Sequence, residues 1–133
     1  FRANRGRLPW PVDGAVTGRF GTRTDPAYGT RIESPGIDVA TPPGASVRAV
    51  FGGTVERVGA MSTYGTYVMV SHGGFTTVYG NLSDVVVRQG QAIQPGQALA
   101  RAGTADERRG AGLFFAVFEG DDPVDPLEWL IRR

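Results

Sequence analysis

Glycine and proline interrupt this chain before a long helix can grow: 20 Gly and 9 Pro are spread through 133 residues. Between them stand short runs rich in Val, Thr, Phe and Tyr, the mark of strands joined by tight turns. The runs at 47–51, 54–58, 66–72, 75–82, 85–88, 98–102 and 113–119 are predicted strands. Gly73-Gly74 separates two of them, and paired glycines supply the positive φ angles that a two-residue hairpin loop demands. Only the C-terminal end has helical character. There Asp125 is a candidate N-cap and Pro126 suits the first helical position, with Leu127, Trp129, Leu130 and Ile131 following. The predicted fold is an all-β sandwich or barrel with tight glycine turns, closed by a short C-terminal helical turn.

A chain of this length supports one hydrophobic core. Residues 1–16 are expected to form an extended strap, because Pro9 and Pro11 flank Trp10 and block both a helix and a central strand. Residues 17–133 are expected to form the single domain. No apolar run approaches the length of a membrane span, and no signal peptide is recognisable. Opening on Phe1, the chain reads as a portion of a longer protein, with any signal, anchor or coiled coil upstream of it.

Residue counts exclude whole classes of chemistry. The 14 basic residues are all Arg, so nothing that needs a lysine amine is available. Cys is absent, which removes disulfides, thiolate nucleophiles and thiolate-bound metals. The single histidine, His72, is too little for a zinc site, which takes about three or four protein ligands. A net charge of +1 without a basic patch argues against nucleic acid. Glu119, Asp121, Asp122 and Asp125 have no calcium-loop spacing and read as an exposed turn. Residues 105–110 read as a charged, solvated loop.

A weak internal repeat is present. Gly44-Ala45-Ser46-Val47 and Gly90-Gln91-Ala92-Ile93 each precede a glycine turn and another apolar strand, beginning Gly52-Gly53-Thr54-Val55 and Gly96-Gln97-Ala98-Leu99. Such half-motifs resemble those of biotinyl and lipoyl carriers. Carriers attach their cofactor to a turn lysine, and this chain has none.

Ser34-Pro35-Gly36-Ile37-Asp38 resembles the His-x-Gly-Ile-Asp motif of the lysostaphin-like (LytM-type) zinc endopeptidases, which cut peptidoglycan cross-bridges. Phe20-Gly21-Thr22-Arg23-Thr24-Asp25-Pro26 matches that family's lead-in, and Val70-Ser71-His72-Gly73-Gly74 matches a hairpin whose histidine is a framework residue. The resemblance runs from about Leu8 to Leu130 and implies the duplicated hybrid motif fold. It also places Ser34 and Asp38 at zinc positions, Asn81 (in Tyr79-Gly80-Asn81-Leu82) at a catalytic histidine, and Gly112-Leu113-Phe114 where the family has His-x-His. Of five key positions only Asp38 survives. A lone carboxylate binds zinc weakly, and without the metal nothing lowers the pKa of water or polarises a scissile carbonyl. No cofactor is expected. A serine triad of Ser34, Asp38 and His72 has nothing in the sequence to assemble it.

Degenerate LytM domains of this kind occur in EnvC- and NlpD-type murein hydrolase activators, and the chain looks most like the EnvC type. The resemblance implies a periplasmic, envelope-localised domain that does not cut peptidoglycan but activates a zinc N-acetylmuramoyl-L-alanine amidase during septum splitting. Peptidoglycan itself and a division-site membrane complex, reached through upstream regions, are further expected partners. The vestigial groove would take an autoinhibitory amphipathic helix of the amidase. Tyr64, Tyr79, Asn81, Phe114 and Phe118 are its candidate anchors, with Ser34 and Asp38 at the floor. Alternation sets Phe114 and Phe118 on one face of their strand and Phe115 on the other, towards the core.

Overall fold

The computed structural model describes residues 4–24, 31–61, 65–103 and 112–131. Through them run β1 (Ala15–Gly18), β2 (Gly21–Thr24), β3 (Arg31–Ser34), β4 (Ile37–Ala40), β5 (Ser46–Arg48), β6 (Gly53–Met61) and β7 (Gly65–Ser71). There follow β8 (Phe75–Gly80), β9 (Leu82–Ser83), β10 (Ala92–Ile93), β11 (Ala98–Ala102), β12 (Gly112–Glu119) and β13 (Asp122–Val124). The main sheet has the order β1-β4-β12-β8-β7-β6-β10. Along one side of β12, β4 pairs with Gly112–Phe115 and β13 takes over at Val117. A second sheet has the order β5-β11-β9, and β2 and β3 form a separate hairpin.

The two sheets close on one core. Ile37, Val39, Val68, Val70, Tyr79, Leu113, Phe115 and Val117 of the main sheet share a buried cluster with Val47, Leu82, Leu99 and Ala102 of the small one. In the main sheet these residues fall on alternate positions of their strands, so it gives one face to the core; in β11 a register shift between Ala98 and Ala100 breaks the alternation. β12 is the exception in composition: it is buried on both faces as far as Val117, which is why its sequence is a continuous apolar run.

The local expectations that carry the architecture are met. Gly73 and Gly74 have φ of 75° and 85°, and the His72 N–H donates to the Phe75 carbonyl at 2.8 Å to close the hairpin. Asp125 caps a 3-10 turn at Pro126–Glu128, its Oδ1 accepting from the Leu127 N–H at 3.0 Å. The N-terminal strap lies against this turn but is not extended throughout, since residues 4–7 form a turn in which the Arg7 N–H donates to the Asn4 carbonyl at 2.8 Å. The Gly6 and Leu8 N–H groups both donate to the Trp129 carbonyl, and the Trp10 indole donates to the Ile131 carbonyl at 2.8 Å. The predicted strand at 85–88 is corrected. Asp84 turns out of the extended region at φ 47°, Val86 is 67% exposed, and the Val86 N–H donates to the Leu99 carbonyl outside any strand ladder.

The internal repeat has a structural counterpart. β5 and β6 belong to the first copy, β10 and β11 to the second. β5 pairs with β11, and β10 pairs with β6, so each copy's first strand is hydrogen-bonded to the other copy's second.

Candidate functional site

The outer face of the main sheet, turned away from the core, carries Asp38 and Phe114 of the degenerate motif. Asp38 of β4 is the cross-strand neighbour of Phe114 of β12, and Phe114 in turn faces Gly80 of β8. In the next row, Ala116 is opposite Val78, and Val78 is opposite Met69 of β7. Phe114, Ala116 and Val78 form a small buried cluster of their own, with Met69 and Phe118 packed at its margin. The Phe114 ring reaches across β4: a Cβ built on Gly36 would lie 2.9 Å from the tip of that ring. The motif glycine is hemmed in first by the Phe115 backbone carbonyl and then by this ring and the Ala116 methyl. Phe114 is only 3% exposed, whereas Phe118 and Met69 are half-buried.

The other candidate anchors are placed differently. Tyr79 is a correction: it is fully buried on the core face, 5.3 Å from the Phe115 ring, and the sheet separates it from Phe114. Strand alternation from Val78 to Tyr79 makes this unavoidable once Val78 faces outward. Asn81 is also corrected. It is 1% exposed at φ 59°, and its amide donates to the Gly103 and Gly112 carbonyls at 3.2 and 3.0 Å, tying the end of β11 to the start of β12. Both N–H groups are therefore engaged within the fold. Tyr64 lies outside the described residues, as does the side chain of Ser34, whose backbone pairs with Gly21.

His72 works on the core side with Tyr79. Its Nδ1 is 2.8 Å from the Gly52 carbonyl, which can only accept, so Nδ1 carries the proton. Nε2 is 2.9 Å from Thr77 Oγ1, and Thr77 Oγ1 is 3.1 Å from the Tyr79 hydroxyl, to which the Val50 N–H donates at 3.1 Å. The Thr77 hydroxyl donates to the Tyr79 hydroxyl, which also accepts from the Val50 N–H. Burial holds His72 below its ordinary 6.5, against the opposing pull of the Gly52 hydrogen bond, and pushes the Tyr79 phenol up to about 12. His72 and Asp38 are on opposite faces of the sheet, so the triad does not assemble.

Tyr67 and Met69 escaped the sequence reading. Val68 and Val70 are in the core, so Tyr67 and Met69 face outward with Phe114. The Tyr67 ring lies over Gly59, where an added Cβ would be 3.0 Å from its hydroxyl. The signal was available: Tyr67, Met69 and Ser71 alternate with valines along β7.

The donor set does not fit a zinc ion. Of the three positions that the motif assigns to the metal, Asp38 offers a carboxylate, Phe114 a phenyl ring lying over Gly36, and Ser34 no imidazole. Among the described residues no group of three or more His, Cys, Asp and Glu could hold a metal.

The description "Peptidase family M23" matches residues 33–126, the stretch that contains every position above. The chain belongs to peptidase family M23. Among the curated relatives of this M23 domain, the lipoprotein NlpD/LppB homolog of Pseudomonas aeruginosa is 34% identical over 130 residues, covering 96% of this chain and 41% of that protein. The murein hydrolase activator EnvC of Escherichia coli is 28% identical over 131 residues, covering 98% of this chain and 30% of that protein. A solved zinc containing peptidase from Vibrio cholerae superposes with a TM-score of 0.84 at 30% identity, over 96% of this chain and 41% of that one. The M23 domain thus spans less than half the length of each of these proteins.

Proposed function

We propose that this M23 domain is non-catalytic and activates a peptidoglycan N-acetylmuramoyl-L-alanine amidase in the periplasm during cell-wall splitting at division. The observation that carries the reading is Phe114 beside Asp38, its ring over Gly36, where the motif calls for a metal ligand. An apolar ring disfavours a charged ion at that point, and neither Phe114 nor Gly112 can exchange a proton as imidazole does. The murein hydrolase activator among the relatives supports the role, and the lipoproteins among them support a cell-envelope setting.

The surface such a domain offers is the outer sheet face. Phe118 and Met69 flank the buried Phe114 floor and are within reach of a partner, with Asp38 at the polar edge. A face of that composition suits the apolar side of an amphipathic helix. If the helix is the segment that blocks the amidase's own site, its capture stabilises the open enzyme, and only differential affinity for that state counts.

The test is an amidase assay on murein with and without this domain. The domain should raise the rate, and Phe118→Glu should abolish the effect through about a thirtyfold or greater loss of binding while the domain stays folded. The fold is also that of a zinc containing peptidase and Asp38 is retained, which favours a second reading as an endopeptidase. Stoichiometric zinc in the purified domain, with release of peptides from murein in the absence of an amidase, would establish that reading and remove the first.

A further inference from the structure

On the far side of the core from Phe114, a cleft of about 210 Å³ opens between the strap and β5. Its walls include Trp10 and Asp13 from the strap and Ser46 and Arg48 from β5. β5 produces this by alternation: Val47 is wholly buried, and Ser46 and Arg48 point outward and are exposed. The strap is fastened on both sides of the cleft. The Arg48 N–H donates to the Pro11 carbonyl at 2.8 Å, and the Trp10 indole is pinned through Ile131. Among the described residues the Arg48 guanidinium makes no hydrogen bond or ion pair, whereas neighbouring Arg101 donates to the Gly44 carbonyl.

A pinned indole, an uncommitted guanidinium, a hydroxyl and a carboxylate around one small cleft match a sugar ring that carries an acid. The ring's C–H face packs on the indole, its hydroxyls bond to Asp13 and Ser46, and its carboxylate takes both arms of Arg48. Asp13 disfavours a ligand that is only an anion, which selects for hydroxyls on its side. The volume is below the roughly 300–1,000 Å³ of pockets for larger ligands, so it admits one ring and not a folded chain.

We propose that this cleft binds a muramic-acid residue of peptidoglycan whose lactyl carboxylate is free. The identity of the sugar rests on the amidase reading above. In intact murein that carboxyl group is locked in an amide. Hydrolysis of the amide with water leaves a carboxylate on the sugar and an ammonium on the peptide, so stripped chains acquire the charge that Arg48 would hold. The domain would then stand on glycan already processed, with its opposite face turned to the enzyme.

Calorimetry with no amidase present tests this, using three probes: stripped glycan strands, peptide-bearing strands of the same length, and released stem peptides. Stripped strands should bind about tenfold or more tightly than peptide-bearing ones, and stem peptides should not bind. Arg48→Ala should lose about tenfold in affinity with an unchanged thermal midpoint, and Arg48→Lys should recover part of it. Equal affinity for stripped and peptide-bearing strands, binding of the stem peptide instead, or an Arg48→Ala variant that binds like the parent would overturn the proposal. Because the amidase is absent, any of those results leaves the activator reading standing. A domain that binds stripped glycan but fails to activate loses only the activator reading.

Discussion

A methyl group at Gly36 would collide with the Phe115 carbonyl oxygen and lie 2.9 Å from the Phe114 ring, while one at Gly73 would meet nothing within 4 Å. The two glycines are therefore needed for different reasons, one for space and one for its φ of 75°. Gly36→Ala should cost about 1–3 kcal/mol by overpacking, and Phe114→Leu in the same chain should relieve part of it, read from denaturant midpoints. Gly73→Ala should cost about 1–2 kcal/mol from backbone strain alone. His72 makes a prediction about pH. Its native pKa is held below 6.5, so the folded chain binds fewer protons there than the unfolded one. The stability it contributes is present above pH 6.5 and is lost as pH falls towards and through the lowered native value. Thermal midpoints should fall as the medium is acidified through that window, and the dependence should flatten in His72→Gln.

β12 shows what an element's sequence can and cannot disclose. Phe115→Ala removes a fully buried ring from the core and should cost about 3–5 kcal/mol, whereas Phe118→Ala, at the margin of the outer cluster, should cost clearly less in the same denaturation experiment. Period-two alternation fixes which residues of β12 share a face, and the family motif says that Phe114 is on the outer one and Phe115 on the inner. On β8 the same alternation is legible, but the aromatic ring of Tyr79 suits either face, and neighbouring strands decide between them. Once β12 pairs with β8 in the observed register, Tyr79 falls beside Phe115 and Val78 beside Ala116. The hairpin at Gly73-Gly74 and the cap at Asp125 were readable because their chemistry is local. β10, with two residues, exists only through a partner distant in the chain, whereas β13, with three, is the return strand of a tight hairpin that joins Glu119 to Asp122 through Gly120. The run at 85–88 had the composition of a strand but not the pairing.

At the scale of the whole molecule, the strap, the closing turn and the two sheets form one network in which the first and last described segments touch. Leu8 bridges Leu130, and the Arg5 guanidinium reaches Glu128 at 2.9 Å. The exposed Arg5–Glu128 pair should matter little, so Glu128→Gln should change stability by under about 1 kcal/mol. Leu8, 1% exposed, should matter much more: Leu8→Ala should cost about 2–5 kcal/mol in a denaturant titration. The exchange of strands between the two repeat copies has a consequence in time. During synthesis β5 and β6 emerge first, each with an edge that only the later copy can cover. Until Ala102 has left the ribosome, the nascent chain carries open strand edges and an unroofed apolar face, the condition in which chains stick to one another. Pairing of the first copy's strands therefore waits on synthesis of the second.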